Sequence, residues 1–240
     1  MKPTASKLIR WAGLSAMVAG VIFAVIQPIH PADVVSSVTT GAWAIITPLK
    51  MVMCLLLLVG IAGIYARQVK EAGWLGLVGF LLFGLGWALT AAFVFAETVI
   101  MPPLASVAPK FVDGFLGVAA SRASEVDLGA IPALFALSGI LYLLGGLVFG
   151  IATFRAGILP RWAGGLLAVT AALTPLAALL PHDIQRLAAM PMGLALACLG
   201  YALWSERREQ AADPEGDGVL TGVEQPAAVV PTNGRVTSKV

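Results

Sequence analysis

Residues 43–66 read WAIITPLKMVMCLLLLVGIAGIYA, and this segment alone places the chain in a membrane. It holds a single charged residue, Lys50, and shows no alternation of polar and apolar positions. A bilayer core about 30 Å thick is crossed by about 20 apolar residues in a helix. A membrane β-strand is about half that length and alternates between lipid-facing and lumen-facing residues. The segment therefore predicts a transmembrane helix.

Five more segments have the same character, and together they predict an all-α, polytopic transmembrane helix bundle with six spans. The predicted spans cover residues 8–29, 43–66, 74–96, 128–154, 162–180 and 187–204. Hydrophobic residues make up 59% of the chain and charged residues 12%, against about 25% charged in soluble domains. Residues 1–205 form the predicted membrane domain. Residues 206–240 hold no aromatic residue and little apolar surface, which predicts a disordered cytoplasmic tail.

Composition and motifs argue against several functional classes. The net charge of +2 and the absence of a basic aromatic patch argue against nucleic acid as a partner. Cys54 and Cys198 stand alone in apolar runs, where cysteine acts as a small hydrophobic residue. We find no His-Glu-x-x-His, Gly-x-Ser-x-Gly or phosphate-binding glycine motif. The sequence therefore predicts a protein that is not an enzyme and that uses no cofactor or metal.

Basic residues predict the orientation in the membrane. They concentrate on alternate flanks of the predicted spans, at Lys2, Lys7, Arg10, Arg67, Lys70, Arg155, Arg161, Arg207 and Arg208. By the positive-inside rule this side is cytoplasmic, so both termini of a multi-pass cell-membrane protein lie there. Five of the six tryptophans lie at span ends, as an aromatic belt would. Only Trp87 is mid-span, where packing explains it.

Lys50 and Glu97 are the charges nearest to membrane depth, both at the predicted outer end of adjacent spans. Thr47 shares a helical face with Lys50, and Thr90 shares one with Glu97. Antiparallel neighbours would bring the two charges together as a buried ion pair, either structural or part of a ligand site. The alternative is that Lys50 extends outward to the interface while Glu97 lies among lipid headgroups.

His30 and His182 are weaker candidates, since both follow a predicted span on the outer side. A metal site, a haem pair or a pH switch would use them, but two loop histidines flanked by proline explain them equally simply. The outer connections, residues 31–42 and 101–127, are longer than the cytoplasmic ones. A short amphipathic helix within 110–121 is expected there, on the membrane surface or as a lid. Any site is therefore expected in the outer half.

Small residues recur at four-residue spacing in several spans. The series are Ala16, Gly20 and Ala24; Gly146 and Gly150; Gly164, Ala168 and Ala172; and Gly193 and Ala197. Such faces let helix backbones approach closely in lipid. They predict tight packing within the bundle, and a homodimer through the same faces is the second possibility.

Three segments resemble small multi-span integral membrane proteins common in high-GC bacteria: Gly60–Gln68, Gly76–Phe80 and Arg155–Gly164. The resemblance implies a helix bundle in the lipid bilayer and no particular activity. Three functional hypotheses follow. The first is binding of a partner or small apolar ligand from the outer side. The second is a small secondary transporter or permease, with Lys50, Glu97 and Pro175 lining a cavity. An intramembrane enzyme is the third and would need convergent polar groups.

Overall fold

The computed structural model describes residues 4–120, 122–177 and 179–212, and every regular element in these ranges is a helix. In chain order the first helices are α1 Ala5–Ile29, α2 Val35–Val38, α3 Gly41–Arg67 and α4 Val69–Phe95. A π-helical turn at Ala96–Ile100 leads into α5 Met101–Val107 and α6 Pro109–Ala119. The last helices are α7 Ile131–Ala156, α8 Arg161–Ala177 and α9 His182–Ala212. The predicted all-α class is confirmed.

Within the described residues, five helical segments are long and apolar enough to cross a membrane. They are Ala5–Ile29, Gly41–Arg67, Val69–Val107, Ile131–Ala156 and Ile184–Ser205. The predicted fifth span, residues 162–180, corresponds to α8, which has 17 residues and ends at Ala177. The chain is therefore a helical protein with the segments of an integral membrane protein.

Several boundaries differ from the predicted ones. The third span was predicted to end at residue 96, but helical structure continues through the π-helical turn as far as Val107. α7 begins at Ile131 instead of residue 128, because Gly129 has a φ of 57° that a right-handed helix does not adopt. α9 extends past residue 205 to Ala212. Residues 213–240 of the predicted tail lie outside the described residues.

The six longest helices in the described ranges pack as a closed ring. The order is α1, α3, α4, α7, α8 and α9, and α9 returns to α1. Large apolar side chains from five of the six helices fill its centre and are fully buried, among them Leu57, Phe83, Phe149, Leu167 and Leu196, and α1 contributes the small Ala16 and Ala19. Since the first and last helices are neighbours, residues far apart in sequence meet at both ends of the ring.

Small residues allow the close helix contacts of this ring. A Cβ added at Gly20 of α1 would lie 2.5 Å from the backbone N of Ala197 in α9. One added at Gly150 of α7 would lie 2.5 Å from the backbone N of Ala168 in α8. These predicted small-residue faces are thus used within one chain. The homodimer through such faces stays a prediction.

A second apolar cluster caps one end of the ring. It joins α2, α5 and α6 to the start of α3 through buried Val38, Trp43, Met101, Val112 and Leu116. The expected short helix within residues 110–121 is found as α6, and its apolar face packs into this cluster. We call α2, α5 and α6 the cap, and the helix ends beneath it the capped end.

Candidate functional site

A cavity of about 270 Å³ lies beneath the cap, between α1, α3, α4 and α7. Aromatic side chains form much of its wall: Phe23, Trp87, Phe93, Phe135 and Tyr142. Charged and ionisable side chains also line it: His30, Asp33, Lys50, Glu97 and Arg186. The cavity therefore combines a largely apolar, aromatic wall with a small number of polar groups, as small-molecule sites do.

Lys50 and Glu97 are in direct contact in this cavity. The Lys50 Nζ lies 2.5 Å from Glu97 Oε2, and each side chain is only 18% exposed. Glu97 is on the π-helical turn, a distortion that is frequent at functional sites. The indole Nε1 of Trp43 donates a hydrogen bond of 3.1 Å to the backbone carbonyl of Glu97 and so fixes this turn. The Lys50 side chain thus turns towards Glu97.

His30 contacts Lys50 as well, so three side chains form one connected series. Its Nε2 lies 3.0 Å from Lys50 Nζ, and its Nδ1 lies 2.7 Å from the carbonyl oxygen of Pro31. An ammonium group only donates and a carbonyl only accepts, so the ring is neutral with the proton on Nδ1. Burial, together with the charges of Lys50 and Arg186, lowers the pKa of His30 to about 4, although the hydrogen bond to Pro31 and the charge of Asp33 act in the opposite direction.

A second ion pair, which includes Arg186 of α9, lies next to His30. Arg186 Nη2 lies 2.5 Å from Asp33 Oδ2, with both side chains largely buried. Arg186 Nη1 also donates to the backbone carbonyls of His30 and Pro31, at 3.3 and 3.2 Å. These bonds tie the start of α9 to the end of α1. The cavity lining therefore carries two cations and two anions in direct pairs, together with a neutral histidine.

Two hydroxyl groups lie further along the cavity, away from the charges. Thr90 Oγ1 donates to the carbonyl of Gly86 at 2.9 Å and lies 3.1 Å from Ser138 Oγ. Both residues line the cavity. Thr47 is buried behind the wall, where its hydroxyl donates to the Trp43 carbonyl of its own helix. Thr90 is thus placed to meet a bound molecule and Thr47 is not.

The structure brings together four of the candidates named from sequence: Lys50, Glu97, His30 and Thr90. Of the other two candidates, Thr47 does not line the cavity, and the side chain of His182 lies outside the described residues. Asp33, Arg186, Trp87 and Tyr142 were not named as candidates. Trp87 did carry a signal, since it is the only mid-span tryptophan. The pairing of Asp33 with Arg186 carried none, because it depends on α9 packing against α1.

A second cavity, of about 350 Å³, lies between α7, α8 and α9. Tyr142 lines both cavities, and the other polar side chains of the second are Thr170, Thr174 and Gln185. Among the side chains that the structure describes, no charged one lines this cavity. The first cavity is therefore the stronger candidate for specific recognition.

The lowered pKa of His30 predicts how stability changes with pH. The ordinary pKa of histidine, 6.5, holds in the unfolded chain, whereas the folded value is about 4. The unfolded chain therefore binds a proton first as the pH falls, so stability is complete above about pH 6.5 and declines towards pH 4. We expect the melting temperature in detergent to fall as the pH is lowered through this window. The melting temperature of the His30→Gln variant should fall less. Parallel curves for the two proteins would contradict this.

Comparison with known proteins finds no match: no family model, no curated protein and no solved structure is similar to this chain. Among the described residues, no group of three or more His, Cys, Asp or Glu side chains is placed to hold a metal ion. Function must therefore be argued from the geometry of the cavity.

Proposed function

We propose that this chain is a non-catalytic integral membrane protein that binds a small, largely apolar ligand from the outer side of the cell membrane. The observation that carries the proposal is the cavity beneath the cap, with its aromatic wall and its paired charges. Ligand pockets usually have volumes of about 300–1,000 Å³ and a few polar groups that orient the ligand. A cavity of about 270 Å³ lies slightly below this range and therefore suits a small ligand.

We also propose six spans, with α8 as the fifth. Its 17 residues at about 1.5 Å each give a length of about 26 Å, slightly less than a bilayer core of about 30 Å. Short spans are accommodated by local thinning of the bilayer at modest cost. Six spans also agree with the alternating basic flanks, which assign the termini to the cytoplasm and the cap to the outer side.

Cysteine labelling tests this orientation. Ser106 in the cap and Ser6 near the N-terminus are both exposed, so each can carry a reporter cysteine in a chain with Cys54 and Cys198 replaced by alanine. A membrane-impermeant thiol reagent added to intact cells should label Ser106→Cys fully and Ser6→Cys only after the membrane is opened. Labelling of Ser6→Cys in intact cells would overturn the proposed orientation.

Filling the cavity tests ligand binding. Ala119 lines the cavity at the end of α6, whereas Ala136 lies on the exposed face of α7. Benzyl alcohol, a small probe with an apolar body and one polar group, should bind saturably to the purified protein in calorimetry against empty micelles. We expect Ala119→Trp to weaken this binding at least tenfold and Ala136→Trp to leave it unchanged. Equal binding by both variants would mean that the cavity is not the site.

A transporter is the second candidate, favoured by the ion pair between Lys50 and Glu97 in the cavity. Partly buried charges often mark substrate or ion pathways. Pro175, however, is not among the residues that line this cavity. Transport requires that the cavity open alternately to both sides. Labelling of Thr90→Cys from the cytoplasmic face as well as the outer face would favour transport, and labelling from the outer face alone would favour binding.

A further inference from the structure

We infer that the ligand of this cavity is a small neutral aromatic molecule with a carbonyl group, which accepts a hydrogen bond from the indole N–H of Trp87. The inference rests on the proposed function and adds the chemical class of the ligand. It is carried by three independent features of the cavity: its charge balance, the arrangement of its aromatic rings, and one unpaired hydrogen-bond donor.

The charges of the cavity are already balanced. Lys50 pairs with Glu97 and Arg186 pairs with Asp33, each at 2.5 Å, and the neutral His30 lies between the two pairs. A charged ligand would bring a charge without a counter-ion into a largely buried site, or it would have to break one of these pairs. A neutral ligand avoids both costs.

The aromatic rings meet edge to face, which is how a further ring would join them. Trp87 contacts Phe23 with centroids 5.4 Å apart and an interplanar angle of 86°, and it contacts Tyr142 at 5.7 Å and 68°. Phe93 and Phe135 form another such pair, at 5.4 Å and 84°. All five rings line the cavity. Because aromatic rings favour these geometries with one another, the wall favours an aromatic ligand over an aliphatic one of equal size.

Trp87 supplies the specific polar contact. Its side chain is 2% exposed, and among the described residues its Nε1 has no hydrogen-bond partner. Buried indole N–H groups usually find an acceptor, and leaving one unpaired costs free energy. The rings packed around Trp87 offer only their weakly accepting faces. A carbonyl oxygen on the ligand would satisfy this donor within the aromatic part of the cavity.

The binding of four probes of similar size distinguishes the possible chemical classes of the ligand. The probes are acetophenone, ethylbenzene, benzoate and benzylammonium. Binding to the full chain in detergent is measured by calorimetry against empty micelles. We expect acetophenone to bind about fivefold more tightly than ethylbenzene, as one added hydrogen bond implies, and more tightly than either charged probe. In Trp87→Phe the ring is kept and the donor is lost. Acetophenone and ethylbenzene should then bind within about twofold of each other, with ethylbenzene little changed.

Each of the other outcomes overturns a different part of the inference or of the proposed function. Tightest binding of benzoate would show an anion site at Lys50 or Arg186, and tightest binding of benzylammonium would show cation–π recognition by the aromatic wall. Either result overturns the neutral class but keeps the proposed function, provided that Ala119→Trp abolishes the binding. If Trp87→Phe still binds acetophenone more tightly than ethylbenzene by the same factor, the indole N–H of Trp87 does not bind the ligand. If that variant does not fold, an equal affinity of the wild type for acetophenone and ethylbenzene overturns the inference. Binding of no probe would overturn the proposed function itself.

Discussion

Replacing Gly145 by alanine should destabilise the bundle by about 3 kcal/mol, in spite of the better helix propensity of alanine. Gly145 lies where α7 crosses α4, and a Cβ added there would lie 2.5 Å from the Cα of Phe83 and 2.7 Å from the carbonyl carbon of Leu82. The obstacle is backbone, so it cannot turn aside as a side chain would. The two helices would have to separate, and packing around the buried Phe83 would loosen.

Gly139 gives a matched control on the same helix, because nothing lies within 4 Å of a Cβ added there. Gly139→Ala should leave stability unchanged or raise it by up to about 1 kcal/mol. Denaturant titration in detergent provides the free energy of unfolding for both variants. Similar effects at the two positions would mean that α4 and α7 are not in close contact at Gly145.

The helical class could be predicted from the sequence because it depends on local properties. Each apolar run is long enough to cross a bilayer, and a helix satisfies its backbone hydrogen bonds within the run. The ends of the helices were harder to predict. The sequence predicts Glu97 at the end of a span, yet helical structure continues past it through the π-helical turn to Val107. No local pattern in residues 96–100 predicts that turn.

The residues of the candidate site also include some that the sequence predicts and some that it does not. Lys50 and Glu97 could be named because an isolated charge near membrane depth is unusual in any sequence. His30, Asp33 and Arg186 could not be connected with them, since Arg186 is 153 residues from Asp33 along the chain. Their meeting depends on α9 closing the ring against α1. The small residues of α1 and α9 show that each helix packs closely against something, but not which helix is its partner.

Removing one member of the Lys50–Glu97 pair should cost about 3–5 kcal/mol of stability, because it leaves an uncompensated charge in a largely buried site. Lys50→Met leaves the Glu97 carboxylate without its cation. Glu97→Gln leaves the Lys50 ammonium without a counter-charge, because the glutamine amide and His30 are both neutral. We expect both single variants to show large losses in the free energy of unfolding in detergent.

The double variant decides whether these losses come from the pair itself. If Lys50 and Glu97 stabilise each other, Lys50→Met with Glu97→Gln leaves no buried charge unpaired, and its loss should be much smaller than the sum of the single losses. Lys110 and Glu125 form the matched control, since their 3.0 Å contact joins side chains that are 73% and 74% exposed. Lys110→Met should cost only about 0–1 kcal/mol, because solvent screens such pairs. Strictly additive losses at Lys50 and Glu97 would mean that the two charges act independently, and the transporter hypothesis would then lose its charged centre.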